Sequence, residues 1–378
     1  MINTPEPARL RWRSGRKWRH FPEDVLPAWI ADMDFEPAPP IAATLSEAVL
    51  LGDFGYGPPA ARSGIPEAFA GWAKRRWDWD CDPADVLLMP DVVGGIGNCI
   101  EALTEPGDAI LVQTPAYPPL LSSVRAAGRT LVEHAMSAGG QTDLDALERE
   151  IAGRSVRLML FCHPHNPTGH VFTMAELKRL ADIADRHGVI IISDEVHADL
   201  TYAGHWHFPF APLLAERTVT LNAASKAFNI AGLRTAICVA PPNLRRKLTA
   251  LPSTRWSAFS TMGVRATLAA WSDAGEAWLM GCIDHLTGQR EHLVRRLAED
   301  FPDIDFVRPQ AGYLAWLDCR ALDIGDPTAF FLERARVALS PGREFGAPGQ
   351  GFARLNFATS FEILDEILDR MANALAAR

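Results

Sequence analysis

The sequence predicts an α/β protein with a mostly parallel sheet, joined to a smaller α+β domain. From about residue 85, short β-branched runs alternate with longer amphipathic ones, the pattern of a parallel sheet connected by helices. The run at 189–192 is apolar at every position, as expected for a strand that helices cover on both faces of the sheet. After about residue 275 a long helical stretch leads into short strands, so a second structural unit begins there.

The individual elements are predicted from apolar periodicity and from start and stop signals. Thr173 and Glu176 have the spacing of a capping box at the start of one helix, and Gly188 ends that helix. A Gly-rich turn at 91–97 opens another helix. The predicted strands lie at 109–112, 156–161, 189–192, 219–221, 235–239, 306–307 and 312–317, and the predicted helices lie at 96–103, 173–187, 277–300 and 362–377.

A chain of 378 residues is long enough for two packed units. We expect a large α/β domain over residues 42–275 and a small domain formed by residues 1–41 together with residues 276–378. The basic stretch before residue 20 could instead be an arm that binds nucleic acid. Trp12 and Trp18 interrupt its arginines, and this favours a segment that docks on the protein.

The composition disfavours several classes of protein. A net charge of −9 argues against nucleic acid or an acidic membrane as the main partner. No apolar run reaches the roughly 18 residues that a membrane-spanning helix needs, and the first residues lack the apolar core of a secretory signal. The six cysteines form no C-x-x-C pair, and several lie in apolar runs, which predicts reduced core residues in a cytoplasmic protein.

Two H-x-H pairs, His163 with His165 and His205 with His207, are candidates for metal ligands. In a strand the two members of such a pair share a face, which a metal could use. The spacing reveals no third ligand, and each pair lies beside proline or aromatic residues. We therefore predict no metal site.

Polar clusters follow three of the predicted strands and supply a lysine, Lys226, a carboxylate, Asp194, and an amide, Asn166. Because ligands bind beyond the carboxyl ends of parallel strands, these side chains should meet in one crevice. The combination suits pyridoxal 5'-phosphate. A lysine bonds covalently to the aldehyde of this cofactor, a carboxylate keeps its ring nitrogen protonated, and an amide can bind its ring hydroxyl.

The phosphate of this cofactor needs partners of its own. The turn at 91–97 contains Val93, Gly94 and Gly95 and opens a helix, whose free N–H groups bind anions. Ser225 and Arg234 could complete the phosphate site, Arg234 as a bidentate donor.

Three motifs, PHNPTG, SDEVH and SKAFNIAGLR, occur in the order and rough spacing of the fold-type I, pyridoxal-phosphate-dependent class I/II aminotransferase superfamily, which the chain resembles over essentially its whole length. The resemblance implies a mostly parallel seven-stranded sheet in the large domain. It also implies that Lys226 bonds to the cofactor and acts in catalysis, that Asp194 pairs with the ring nitrogen, and that Asn166 bonds the ring oxygen. Tyr117, in TPAYPPL, matches the aromatic residue that stacks on the ring, and His197 falls in the cofactor-binding set.

The same resemblance places residues around an amino-acid substrate. Arg354, in FARLNFA, matches the arginine that binds the substrate α-carboxylate. Tyr56, in FGYGPPA, matches a tyrosine that reaches the phosphate of the neighbouring subunit, which implies a homodimer with active sites at the subunit interface. We expect Trp29 and Tyr56 to shape the pocket for the substrate side chain.

Finer motifs indicate the reaction. LPAWIADMDFEPAPPI, SDEVH with His197 where typical aminotransferases carry tyrosine, and AGYLAWLDCR resemble the MalY/PatB type of cystathionine β-lyase, or C–S lyase. This implies β-elimination from L-cystathionine or a related S-substituted cysteine, which gives a thiol, pyruvate and ammonia.

Two alternatives stay open. Arg234 is typical of aminotransferases, so an aminotransferase that acts on an amino acid and a 2-oxo acid is the second hypothesis. A cofactor-binding regulator without activity is the third, and the presence of both Lys226 and Asp194 argues against it.

Overall fold

The computed structural model describes residues 2–378. Its strands are β1 Leu26–Pro27, β2 Val86–Met89, β3 Ala109–Thr114, β4 Thr130–Ala135, β5 Leu158–Cys162, β6 Ile190–Asp194, β7 Thr218–Asn222, β8 Ala236–Val239, β9 Asp305–Phe306, β10 Leu314–Asp318, β11 Val337–Ala338, β12 Ser340–Pro341 and β13 Phe352–Asn356. Its α-helices are α1 Pro7–Leu10, α2 Arg16–Arg19, α3 Pro39–Leu51, α4 Ile65–Trp77, α5 Val92–Leu103, α6 Pro118–Ala126, α7 Leu144–Arg154, α8 Met174–His187, α9 Pro242–Thr249, α10 Thr261–Ala270, α11 Asp273–Asp300, α12 Pro327–Phe330 and α13 Phe361–Ala376.

Seven strands form the central sheet in the order β2-β8-β7-β6-β5-β3-β4. Strand β8 runs antiparallel to both of its neighbours, and every other neighbouring pair is parallel. This arrangement confirms the predicted fold class, with its mostly parallel seven-stranded sheet.

Helices cover both faces of this sheet. Alternate residues of β5 point to opposite sides, so Leu160 packs in one buried cluster and Phe161 in another. Helices α5, α6 and α9 contribute to the first cluster, and α7 and α8 contribute to the second. All five residues of β5 and all five of β6 are buried, as the apolar sequence of these strands predicts.

Helix α8 has the predicted boundaries. The hydroxyl of Thr173 accepts from the Glu176 N–H, and the Glu176 carboxylate accepts from the Thr173 N–H, so the capping box is complete. Gly188 ends the helix in the left-handed conformation at φ 69°. Local signals therefore suffice to position this helix.

The start of α5 differs from the prediction. Residues 91–97 do not form a turn before the helix, because α5 already begins at Val92 and Asp91 is its N-cap. The Asp91 carboxylate accepts from the Gly94 N–H at 2.9 Å, which satisfies one of the free donors of the first turn. A Cβ at Gly95 would clash with the sulfur of Met89, so close packing against β2 accounts for a glycine inside this helix.

The C-terminal part contains a four-stranded sheet in the order β12-β13-β10-β9. Helices α11 and α13 pack in the same buried cluster as this sheet. The N-terminal segment joins this part, because β1 pairs in parallel with β11, Leu26 opposite Val337. Helix α11 begins at Asp273 and so crosses the predicted boundary at residue 275, and the domain limits stay a prediction.

The basic N-terminal stretch is docked. Lys17 is buried and its Nζ lies 2.8 Å from the Asp34 carboxylate, to which Trp18 also donates at 2.7 Å. Trp12, by contrast, is 80% exposed. None of the helices within residues 2–378 combines the length and apolar character that crossing a membrane requires.

Candidate active site

A cavity of about 500 Å³ opens beyond the carboxyl ends of β5, β6 and β7. Nine of the sequence-predicted site residues line it: Val93, Tyr117, Asn166, Asp194, His197, Ser225, Lys226, Arg234 and Arg354. The parallel strands therefore bring their polar ends to one crevice, as the position of the motifs predicts.

Lys226 follows β7 and points into this cavity. Its Nζ donates to the main-chain carbonyl of Ala31 at 3.0 Å. Burial lowers the pKa of Lys226, while the carboxylates of Asp32 and Asp194 oppose that shift. A lysine with a lowered pKa loses its proton more easily, which both covalent bonding to an aldehyde and proton abstraction require.

Asp194 is the last residue of β6, and its Oδ1 accepts from the Val196 N–H at 3.2 Å. Burial raises the pKa of Asp194 to about 6, and the Lys226 ammonium opposes this rise. A further cation placed against this carboxylate would favour its ionised form. The protonated ring nitrogen of pyridoxal phosphate is such a cation.

Arg354 lies in the middle of β13 and is buried. Its Nη1 donates to Oδ1 of Asn166 at 3.0 Å, and its Nη2 donates to the Trp29 carbonyl and the Ser340 hydroxyl, each at 3.1 Å. Its guanidinium also lies over the ring of Phe345, 4.8 Å from the centroid. Burial lowers the pKa of Arg354 to about 10, so the group stays protonated at neutral pH.

The same guanidinium has capacity left for a ligand. Among residues 2–378, no hydrogen-bond partner is present for its buried Nε. A buried donor without a partner is unfavourable, and a carboxylate in the cavity would remove that cost. This fits the carboxylate-binding role that the resemblance implies.

The opposite end of the cavity suits a phosphate. Val92 and Val93, in the first turn of α5, line the wall where helix N–H groups are free. Arg234 lies beside them, with its Nη2 2.5 Å from the Asp91 carboxylate. Ser225 adds a hydroxyl to the same wall. These donors fit an anionic group at the N-terminus of α5.

Two further side chains border the space between these ends. His197 is buried, and burial together with the nearby cations of Lys226 and Arg354 lowers its pKa to about 3, so the imidazole is neutral. Tyr117 is the N-cap of α6 and is half-buried, and burial raises its pKa. Both side chains are therefore neutral at neutral pH.

Four predicted residues do not line the cavity. Gly94 and Gly95 lie inside α5, and the Trp29 ring packs against His20 with centroids 4.9 Å apart. Tyr56 is fully exposed and belongs to a separate apolar cavity of about 700 Å³ that also contains Trp256. The roles of these residues stay predictions.

The structure adds residues that the sequence reasoning missed. Asp32 and Arg16 line the cavity, and Tyr313 donates through its hydroxyl to the same Ala31 carbonyl that Lys226 contacts, also at 3.0 Å. Asp32 lies within the motif WIADMDF, which the sequence analysis uses only to indicate the subfamily. The carboxylate in this motif is the sequence signal that could have identified Asp32 as a site residue.

The H-x-H pairs have another role. The rings of His163 and His207 are tilted against each other with centroids 4.5 Å apart, and His207 Nε2 lies 3.0 Å from the buried Glu195 carboxylate. Within residues 2–378 no group of three or more histidine, cysteine, aspartate or glutamate side chains is arranged to hold a metal ion. His163 and His207 are therefore buried and in contact with each other, whereas His205 is exposed.

The donor set as a whole fits pyridoxal 5'-phosphate. Lys226 and Asp194 face one cavity, Asn166 and the half-buried ring of Tyr117 border it, and the start of α5 supplies anion donors at its end. The amide oxygen of Asn166 is held by Arg354, which leaves the amide nitrogen free to donate to a ring oxygen.

The chain is similar over most of its length to known proteins. The family model for aminotransferase class I and II matches residues 34–371. Cystathionine β-lyase of Corynebacterium glutamicum is 36% identical, covering 98% of this chain and 99% of that protein. Cystathionine β-lyase PatB of Bacillus subtilis (strain 168) is 35% identical, over 93% of each chain. A crystal structure from Corynebacterium diphtheriae, of a protein provisionally assigned as a PLP-dependent β-cystathionase, superposes with a TM-score of 0.95 at 34% identity, over 100% of this chain and 99% of that one. The predicted family is thus confirmed: the chain belongs to the aminotransferase class I and II family.

Proposed function

We propose that this protein is a pyridoxal-phosphate-dependent C–S β-lyase, which cleaves L-cystathionine or a related S-substituted cysteine to a thiol, pyruvate and ammonia. The convergence of Lys226, Asp194 and Arg354 on one cavity beyond the sheet carries the pyridoxal-phosphate-dependent chemistry at an amino acid. The names of the relatives support the lyase assignment and the cofactor.

The cofactor supplies a covalent link to the substrate amine and a ring that withdraws electrons from Cα. Arg354 binds the α-carboxylate and thereby orients the bonds at Cα. Asp194 keeps a negative charge against the ring nitrogen. Lys226 Nζ takes the proton from Cα, after which the Cβ–S bond breaks and the sulfur leaves as a thiolate. Hydrolysis of the remaining three-carbon fragment gives pyruvate and ammonia.

The lowered pKa of Lys226 supports its role as the base. Burial disfavours its ammonium form, so a larger fraction of the side chain is neutral near pH 7 than for an exposed lysine. The Ala31 carbonyl accepts a hydrogen bond from Nζ and can hold it within the cavity.

An aminotransferase is the second candidate, and Arg234 is the observation that favours it. Its side chain lies at the anion end of the cavity, paired with Asp91. A transaminase would use the same lysine, carboxylate and carboxylate-binding arginine, so the residues at Cα do not separate the two reactions.

We further propose that the protein is a homodimer in the cytoplasm. Tyr56, Phe54 and Trp256 border an apolar cavity at the surface, where Tyr56 could reach a neighbouring subunit. All six cysteines are unpaired, and five of them are buried, which is consistent with a reducing compartment.

The test is pyruvate release from L-cystathionine by the purified holoenzyme with no 2-oxo acid present. A lyase releases pyruvate over many turnovers, since the cofactor returns to its starting form in each cycle. A transaminase releases no pyruvate from this substrate, because the Cβ–S bond stays intact. It converts one equivalent of L-cystathionine per site to the corresponding 2-oxo acid and continues only when another 2-oxo acid is added, and that result would establish the second candidate instead.

A further inference from the structure

Two oppositely charged side chains, Arg16 and Asp32, line the active-site cavity on the side of the N-terminal segment. Arg16 is exposed and Asp32 is half-buried. Within the part of the chain that the structure describes, neither side chain takes part in a salt bridge or a side-chain hydrogen bond. A positive and a negative group are therefore both available to a ligand.

The cavity does not end at these residues. A neighbouring cavity of about 570 Å³ shares Arg16, Asp32, Ala231 and Gly232 with the first one. A substrate held at Lys226 thus has room to extend past the reacting atoms, and Arg16 and Asp32 lie where the two spaces meet.

Trp29 connects Arg16 to the site of the α-carboxylate. The Arg16 guanidinium lies 5.2 Å from the centroid of the Trp29 ring, and the Trp29 carbonyl accepts from Arg354 at 3.1 Å. The His20 ring packs on the same indole, with centroids 4.9 Å apart. Trp29 therefore contacts both guanidinium groups beside the cavity, that of Arg16 through its ring and that of Arg354 through its carbonyl.

Asp32 is positioned through its own backbone. Its carbonyl accepts from Asn356 Nδ2 at 2.7 Å and from Lys17 Nζ at 3.1 Å. Both side chains line the cavity, and their charges act on groups of the site: Asp32 opposes the fall in the pKa of Lys226, and Arg16 opposes the rise in the pKa of Tyr117.

We propose that Arg16 and Asp32 bind the carboxylate and the ammonium group of a second amino-acid head group, carried on the sulfur of the substrate. The proposal rests on the proposed lyase function and narrows its substrate to thioethers that join two amino acids. Arg354 holds the α-carboxylate of the half that is cleaved, and the second pair holds the leaving half.

This pair would provide selectivity as well as affinity. A guanidinium matches a carboxylate in a two-point hydrogen bond, and a carboxylate matches an ammonium group. A substrate with a plain alkyl group on sulfur gives neither charge a partner. Sites built for a polar group discriminate against analogues that lack it.

Four substrates test the two charges separately in the holoenzyme. L-Cystathionine carries both distal charges, S-(2-carboxyethyl)-L-cysteine only the carboxylate, S-(2-aminoethyl)-L-cysteine only the ammonium, and S-ethyl-L-cysteine neither. We expect Arg16→Gln to lower kcat/KM about tenfold or more for the two substrates with a distal carboxylate, and Asp32→Asn to do so for the two with a distal ammonium group. Each of these losses should exceed the change for S-ethyl-L-cysteine, which measures any effect of the substitution on Lys226 alone.

Matched controls are Arg19→Gln and Glu23→Gln. Arg19 lies on the same short helix as Arg16, Glu23 is an exposed acid near it, and neither lines the cavity. An equal loss on all four substrates in Arg16→Gln and Asp32→Asn would overturn the proposal, because it would show that both residues only support the fold or Lys226.

A binding measurement separates this proposal from the proposed function. In a Lys226→Ala background, calorimetry gives the affinity for L-cystathionine and for S-ethyl-L-cysteine with and without the Arg16 and Asp32 changes. If the parent enzyme releases no pyruvate, the lyase assignment fails, but a selective loss of L-cystathionine affinity still supports the distal site. Equal affinities in all variants would refute that site.

Discussion

The Nη1 of Arg354 donates to Oδ1 of Asn166 at 3.0 Å and joins the four-stranded sheet to the loop after β5. The residue proposed to bind the substrate carboxylate and the residue proposed to bind the cofactor ring are thus in direct contact. Substrate binding and cofactor binding should therefore depend on each other at this point.

Substitution of either partner should reveal this coupling. We expect Arg354→Gln to lower kcat/KM by roughly 100-fold, since a buried charged donor to the carboxylate is lost. Asn166→Ala should weaken cofactor binding and also raise the KM, because Arg354 loses one of its anchors. Steady-state kinetics and cofactor titration of both variants measure this, with the exposed Arg308→Gln as control. A normal KM in Asn166→Ala would contradict the coupling.

Lys226 should be indispensable. Lys226→Ala removes both the covalent attachment and the base, so pyruvate release should fall by at least about 10³-fold. Borohydride reduction followed by intact-mass analysis should show a cofactor adduct on the parent protein and none on the variant. An adduct that persists in Lys226→Ala would place the attachment on another residue.

The raised pKa of Asp194 predicts a pH-dependent stability of the cofactor-free protein. The folded-state pKa is about 6 against a reference of 3.8, so between these pH values the folded state binds more protons than the unfolded state. The stability contributed by the protonated form is complete below about pH 4 and is lost as the pH rises through about 6. The full loss corresponds to about 3 kcal/mol.

Asp194→Asn should remove the loss of folding stability that accompanies the rise in pH. We expect the variant to unfold at a higher urea concentration than the parent apoprotein at pH 8, and the advantage to shrink toward pH 4. Cofactor should reverse the order, because its ring cation stabilises the parent carboxylate. The exposed Asp303→Asn serves as control. A difference that does not change with pH would argue against a raised pKa at Asp194.

Arg234 should anchor the cofactor phosphate. Arg234→Gln removes a charged donor at the start of α5, so the dissociation constant of pyridoxal phosphate from the apoprotein should rise about tenfold. Arg234 also has a left-handed backbone, with φ 53°. The comparison with Arg234→Lys keeps the charge and tests the two-point geometry. Equal retention of cofactor in Arg234→Gln and the parent would remove Arg234 from the phosphate site.

Tyr56 should act across a subunit interface. Lys226→Ala and Tyr56→Phe chains are each expected to be impaired as homodimers. Mixed dimers contain one site with both residues intact, so random reassembly should restore on the order of a quarter of the parent activity. No recovery in a mixture that sedimentation shows to contain dimers would mean that Tyr56 does not complete the partner's site.

The sequence predicts those parts of the fold that depend on local signals. Helix α8 has a cap and a stop within its own residues, and β5 and β6 carry unbroken apolar runs. The meeting of Asn166, Asp194 and Lys226 follows from the geometry of parallel strands. The predicted start of α5 is too late, because a glycine pair suggests a turn, whereas contact with Met89 requires a small residue inside the helix.

The other features of the site depend on contacts between distant parts of the chain, which produce no periodic pattern of residue types in the sequence. The main-chain carbonyls of Trp29 and Ala31 bind Arg354 and Lys226, which lie 325 and 195 residues away along the chain. Any side chain offers a carbonyl, so residue type gives no signal of such contacts. The place of Asp32 on the cavity wall depends on a contact of the same kind, since Asn356 holds its backbone carbonyl.

The attachment of the N-terminal segment has a consequence for biosynthesis. Strand β1 pairs with Val337–Ala338, and the carbonyls of Ile30 and Asp32 accept hydrogen bonds from Asn356. The N-terminal segment is synthesised first, so it can form these contacts only after the C-terminal residues have been synthesised. Until then the wall that contains Asp32 cannot close over Lys226. The active site is therefore completed only after translation ends, and a chain truncated before β13 should retain the central sheet without a finished pocket.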